Sequence, residues 1–283
     1  MSRWKRLLKN LLYHLFPRVE GYNTIRILSG PARGMRMRID IRDAGTHFTG
    51  RYDKWVFDRV RLHRLLRPGM VAWDCGAFYG YYACVFRSLV GDEGFVEVFE
   101  GSRRNHGVVS ALPALNGWSN MRVHWMAVGP DHTTIPFTDN LGGDSGPYGM
   151  EKNFDESGLS LEITMVESSG VDELILERKV RVPDIVKFDL ETAEIQALAN
   201  GDVLFSQHRP LLLLELHGEN AMRAAGDFLS RHRYRAYSVW ELDMAHRSLF
   251  VDRASLSAHS HVPHMLLCFP GEKSEMIEDI YRI

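Results

Sequence analysis

Apolar and polar positions along the chain fall into short runs of two periods. Residues 24–28 and 35–39 alternate about the turn Gly30-Pro31-Ala32-Arg33-Gly34, which predicts a small β-hairpin. Residues 53–66 carry helical spacing that stops at Arg67-Pro68-Gly69 and delivers the chain into an apolar run at 70–73. Residues 82–90 can make an apolar helix face, and 95–99 reads as a buried strand. Strands at 123–128, 185–189 and 211–217 then alternate with helices at 193–200 and 220–232, before two last strands at 234–240 and 264–269. Repeated β-α units imply an α/β fold with a parallel sheet covered on both faces. The closing pair, joined by a long connection, suits an antiparallel edge.

The N-terminus has a different pattern. Arg3, Lys5, Arg6, Lys9 and Arg18 occur without a single acid, while Trp4, Leu7, Leu8, Leu11, Leu12, Leu15 and Phe16 recur at helical spacing. This predicts a basic amphipathic helix over residues 1–18 that either rests on an anionic membrane surface or covers its own domain or a partner subunit, as in a homodimer. Its apolar residues are interleaved with charge, unlike a signal peptide. The expected organisation is an arm of helix and hairpin over 1–50, followed by one main domain over 51–283. No bilayer span is expected, since the apolar runs are short, that at 211–214 ending at Glu215.

Composition adds exclusions. A chain of 283 residues, 45% hydrophobic and 25% charged, can bury a large core. Its net charge of −2 offers no basic face for nucleic acid. Three cysteines, odd in number and without C-x-x-C spacing, read as reduced thiols of a cytoplasmic protein.

The chemistry concentrates after residue 70. Asp74-Cys75-Gly76-Ala77-Phe78-Tyr79-Gly80 links a strand to a helix, and Glu100 closes the next strand. Such a turn lets a cofactor approach bare backbone, and a strand-end acid can hold two ribose hydroxyls. The glycine spacing departs from the G-x-G-x-x-G of dinucleotide sites. Asp74 is poor company for a pyrophosphate but suits a cationic amino-acid head group or a sulfonium, and S-adenosylmethionine has both. A dinucleotide-dependent oxidoreductase and a purely structural turn stay open. So do plainer roles for Asp74 as a helix cap, Glu100 as a solvated strand end, and Asn105 as a helix start rather than an adenosine contact.

Several stretches in order resemble the FkbM-type S-adenosylmethionine-dependent methyltransferases. They are Asp74 to Gly80, Glu100 with Asn105, Ala127-Val128-Gly129, Lys187-Phe188-Asp189-Leu190-Glu191-Thr192-Ala193-Glu194, and Glu215-Leu216-His217. The chain departs from the usual pattern at Phe78 (Asn), Gly101 (Pro) and Thr192 (Gly). The resemblance implies a Rossmann-like class I methyltransferase sheet with an antiparallel final strand. It places Asp74, Gly76, Ala77, Phe78, Gly80, Glu100, Asn105, Ala127 and Asp189 at the cofactor. It also makes the strands ending in Asp189 and Glu215 neighbours, so that His217 could be a general base oriented by Glu215, or a plain strand-end histidine. Asp189, Glu215 and His217 could instead hold a divalent cation. Glu191 and Glu194 are candidate substrate ligands, Glu194 being equally a helix N-terminal charge. The polar, glycine-rich stretch 138–158 reads as a lid or binding loop, with Tyr148, Met150 and Phe154 as candidates to cover an acceptor. O-methylation of a small-molecule, sugar or secondary-metabolite hydroxyl is implied, with a catalytically silent cofactor-binding partner protein as the alternative.

Overall fold

A computed structural model describes residues 18–19, 21–41, 44–139, 146–147, 162–178, 180–259 and 263–282. The basic helix expected at the N-terminus, and Tyr148, Met150 and Phe154, lie outside them. The hairpin is present as β2 (Tyr22–Arg26) and β3 (Arg36–Ile39), joined antiparallel by β1 (Arg18–Val19). It does not stand apart. Ile25, Ile27, Met37 and Ile39 are buried in one apolar cluster with Val85 and Phe86. The Asn116 side chain accepts from Arg36 N at 2.8 Å and donates to Arg36 O at 2.7 Å, stitching the hairpin to the domain.

Eight strands form the central sheet: β4 (Val71–Cys75), β5 (Phe95–Glu100), β6 (Met121–Trp125), β11 (Ile185–Phe188), β12 (Leu211–Glu215), β13 (Tyr234–Ser238), β14 (Leu249–Phe250) and β15 (Met265–Pro270). Their order is β14-β13-β15-β12-β11-β4-β5-β6. Neighbours from β12 to β6 pair in parallel, and β15 runs antiparallel to both β12 and β13. Leucines 211 and 213 enter the cluster on one face while 212 and 214 enter that on the other. That two-sided burial explains why β12 reads as an unbroken apolar run. The helix Tyr81–Val90 covers the first face, and Glu219–His232 covers the second with Ala221, Ala225, Phe228 and Leu229.

Three sequence expectations change. The helix expected over 53–66 is two pieces, Lys54–Val60 and Leu62–Leu65, broken at Arg61, which is left-handed with φ 51°. The cause is tertiary: Tyr281 donates its hydroxyl to Val60 O, and Arg61 donates to Ile280 O at 2.8 Å. The run 123–128 divides after Trp125. Its tail becomes β7 (Ala127–Val128) of a second sheet, ordered β7-β10-β8-β9, with β8 (Thr133–Asp139), β9 (Gly146–Pro147) and β10 (Glu162–Ser169). The closing strands are antiparallel as expected, but β15 is inserted between β12 and β13 and the outermost place goes to the two-residue β14. Among the described residues no helix is long and apolar enough to cross a membrane.

Candidate active site

The strand order reverses between β4 and β11, and a cavity of about 260 Å³ opens over the carboxyl ends of the strands there. Gly76, Phe78, Glu100, Asn105, Ala127 and Asp189 line it, together with Glu191 and Glu215.

Glu100 organises the loop side. Its Oε2 accepts from Phe78 N at 2.8 Å and its Oε1 from Ser102 N at 2.9 Å, and the residue is 5% exposed. One carboxylate thereby joins the glycine loop to the turn after β5. The helix Arg103–Val109 is capped by Ser102 Oγ, which accepts from Asn105 N at 3.0 Å, so Asn105 is left to face the cavity. Gly76 sits at φ 81°, and a Cβ there would lie 1.8 Å from Asp189 O. Gly76→Ala is therefore expected to cost about 2 kcal/mol or more in unfolding free energy, measured by urea denaturation.

Asp74, Ala77 and Gly80 do not line the cavity. The Cβ position of Gly80 is filled by Val109 and Leu112, and Ala77 is packed in the apolar core. Asp74 is fully buried and faces its register partner on β11, Lys187, with Nζ 3.6 Å from Oδ1. Burial pushes its carboxyl up to about 6, against the pull of Lys187. A cation of the chain itself, Lys187, thus stands beside Asp74. Lys187 also donates to Gly76 O at 3.0 Å and to Asp189 Oδ2 at 3.1 Å, and its ammonium lies 4.8 Å from the Tyr82 ring centre. Burial opposes its charge, but Asp189 and Asp74 hold the ammonium well above the ordinary lysine range. A lone lysine in the apolar run Ile185-Val186-Lys187-Phe188 was the sequence signal for this role.

His217 lies just past the end of β12, and the structure gathers carboxylates around it. Glu194 Oε1 accepts from His217 N at 3.0 Å and sits 3.2 Å from Nδ1. Nε2 lies 3.7 Å from Asp189, 3.7 Å from Glu191 and 3.8 Å from Glu215. Burial works against a charged ring, but the Glu194 bond and the surrounding acids outweigh it and push the imidazole up to about 9. The shift favours the protonated ring, which speaks for His217 as a positioning group rather than the base. Glu194 is fully buried beneath it, so it orients the ring rather than touching a substrate. A histidine raised from 6.5 to about 9 stabilises the fold fully below pH 6.5, and that stabilisation is lost as pH rises through 9. Thermal melts in chelator should show wild-type Tm falling over this window more steeply than that of His217→Gln.

Glu215 behaves differently. It lines the cavity, and burial, reinforced by Asp189, pushes its carboxyl up to about 7 despite Lys187, His264 and His217. Asp189, Glu215 and His217 each offer a ligand atom within 4.8 Å of the others, a set that could hold a divalent cation.

The far wall comes from residues that sequence reasoning did not single out: Tyr52, Asp53 and Trp55 before β4, and His264 before β15. Asp53, at φ 44°, accepts from Tyr82 OH at 3.1 Å. Tyr79, Tyr81 and Tyr82 pack inward. The family departures have local accounts. Phe78 takes φ 53°, a region Asn tolerates better, and Glu100 holds its amide there. Thr192 stands at φ 85°, costly for a β-branched residue. Gly101 has no Cβ to meet Phe137, whose ring would lie 2.5 Å from one.

Comparison with known proteins gives one family. No curated protein matches the chain. Among solved structures, the chain is similar to methyltransferase FkbM from Methylobacillus flagellatus KT, at 16% identity and TM-score 0.44 over 94% of this chain and 59% of that one. It thus spans less than two thirds of that relative's length. A SAM-dependent O-methyltransferase from Thermotoga maritima aligns at 13% identity and TM-score 0.40, over 77% of this chain and 65% of that one. TYW2 of M. jannaschii, in complex with AdoMet, aligns at 9% identity and TM-score 0.41, over 89% and 85%. The model of the methyltransferase FkbM domain matches residues 74–236, more than half of the chain and the span that builds the loop, Glu100, Asp189 and Glu215. This chain belongs to the methyltransferase FkbM domain family.

Proposed function

We propose that the protein transfers a methyl group from S-adenosylmethionine to a hydroxyl of a small molecule, with Glu215 as general base. The observation that carries this reading is one cavity with the glycine loop and Glu100 at one end and a carboxyl raised to about 7 at the other. The cofactor, when bound, supplies an electrophilic methyl on a sulfonium. Glu100 would hold its ribose, since a carboxylate oxygen that accepts an amide hydrogen bond can also accept one from a hydroxyl. Lys187 fixes the loop carbonyl at Gly76 and orients Asp189. Glu215 stands ready to take the acceptor proton near neutral pH, where an acid of matched pKa works best. Trp55 and Phe137 line the walls and exclude water from a reaction that asks mainly for alignment.

Three unpaired, buried cysteines, Cys75, Cys84 and Cys268, suit a reducing compartment such as the cytoplasm. The cation reading rests on the Asp189, Glu215 and His217 set. Incubation with S-adenosylmethionine and a panel of hydroxyl compounds tests the reaction: one acceptor should gain one methyl by mass as the demethylated cofactor forms. No transfer to any compound despite cofactor binding would favour the silent partner protein. Loss of turnover in chelator would bring in the metal. Glu100→Gln should weaken binding of the demethylated cofactor ~10–100-fold by calorimetry, as one charge-assisted contact is lost; unchanged affinity would remove Glu100 from the donor site.

A further inference from the structure

Building on the methyl-transfer reading, we propose that the acceptor enters as an organic cation, an amine that also carries the hydroxyl, seated between Tyr52 and Trp55 on one side and Asp53 and Glu215 on the other. The tip of β5 with Glu100 and the tip of β12 with Glu215 are separated by β4 and β11, three strand spacings or roughly 14 Å. The end of the cavity beyond Asp189 therefore belongs to the acceptor. Among the described residues, the ionisable lining of that end consists of Asp53, Glu191 and Glu215 against His264 and the Tyr52 phenol. No lysine or arginine lines the cavity among the described residues.

The cations beneath offset this charge only in part. Lys187 is shared between Asp74 and Asp189. His217, held by Glu194, also lies 3.7 Å from Glu191 and 3.8 Å from Glu215, while His264 Nδ1 lies 3.3 Å from Glu215. The carboxylates Asp53, Asp74, Asp189, Glu191, Glu194 and Glu215 still outnumber Lys187 and the two histidines. Arg59, one turn on from Trp55, is engaged by Asp243 at 3.1 Å and lies 4.6 Å from the Trp240 ring centre. A neutral acceptor would offer these carboxylates only the hydrogen bond of its hydroxyl, whereas an ammonium would also pair with their charge. The aromatic side fits the same ligand. Trp55 lines the cavity and packs 5.9 Å from the exposed Trp240 and 6.4 Å from His264, and Tyr52 lies within the field of Asp53, Asp189 and Glu215. Indole and phenol faces attract organic cations and apolar ring edges alike.

Calorimetry on protein saturated with the demethylated cofactor tests this with trans-2-aminocyclohexanol and its neutral counterpart trans-1,2-cyclohexanediol. The amine should bind at least ~10-fold more tightly, and added salt should shrink the difference. The double variant Asp53→Asn/Glu215→Gln should lose the preference while still binding the cofactor within ~3-fold, which shows that it is folded. Equal binding of the two probes, no binding of either, or a preference that survives in the double variant would overturn the proposal. So would Mg2+ or Mn2+ binding that abolishes the amine preference, since the negative charge would then belong to a metal. Failure of the cofactor itself to bind would instead bring down the methyl-transfer reading beneath it.

Discussion

Glu215→Gln is expected to lower kcat by ~10²–10⁴-fold, the range by which a positioned base accelerates proton removal. The substitution keeps the shape of the side chain and removes its ability to take a proton. In the wild-type protein, kcat/KM should rise with pH and level off above an apparent pKa near 7, where burial and Asp189 place the Glu215 carboxyl. The variant should lose this inflection while binding the demethylated cofactor within ~3-fold of wild type, because the donor end is held by other residues. His217→Gln supplies the contrast. The surrounding acids favour its protonated form, so its removal should change stability and site geometry without abolishing the inflection near 7. A flat wild-type profile from pH 6 to 9, or full activity of Glu215→Gln, would take the base away from Glu215.

Lys187→Met is expected to destabilise the fold by about 3–5 kcal/mol, the cost of leaving buried charge without its partner. Three groups depend on this one ammonium: the Gly76 carbonyl at 3.0 Å, Asp189 at 3.1 Å and Asp74 at 3.6 Å. Asp74 is the most exposed to its loss, being fully buried with a carboxyl that burial already pushes up to about 6. Without Lys187 this carboxyl should take up a proton at still higher pH, so the variant should recover stability as pH falls. Adding Asp74→Asn should restore part of the loss, since an amide carries no charge to strand. Urea denaturation at pH 8 and pH 6 separates these outcomes. Equal losses at both pH values, with no rescue by Asp74→Asn, would mean that Lys187 acts by packing alone.

The legible parts of the site were those whose chemistry is local. Gly76 had to tolerate a left-handed backbone, and Glu100 ended an apolar run five residues before an asparagine; both are properties of short stretches, and both line the cavity. The surroundings of Asp74 were not legible, because its neighbours in sequence are loop residues, whereas its neighbour in space is Lys187, brought alongside by the pairing of β4 with β11. Glu194 stands at the helix start, as one of its two readings had it, and its pairing with His217 was not legible because it depends on the helix Glu194–Ala199 packing beneath the end of β12. The far wall left no local sign at all. Tyr52, Asp53 and Trp55 precede the main sheet and His264 lies far down the chain, so their meeting follows from the insertion of β15 beside β12.

Titrating the purified protein with S-adenosylmethionine, its demethylated product and NAD in one calorimetric series is the most direct measurement. The account predicts a single site for the first two ligands and no heat for NAD. Binding of NAD with no response to either sulfur compound would contradict it.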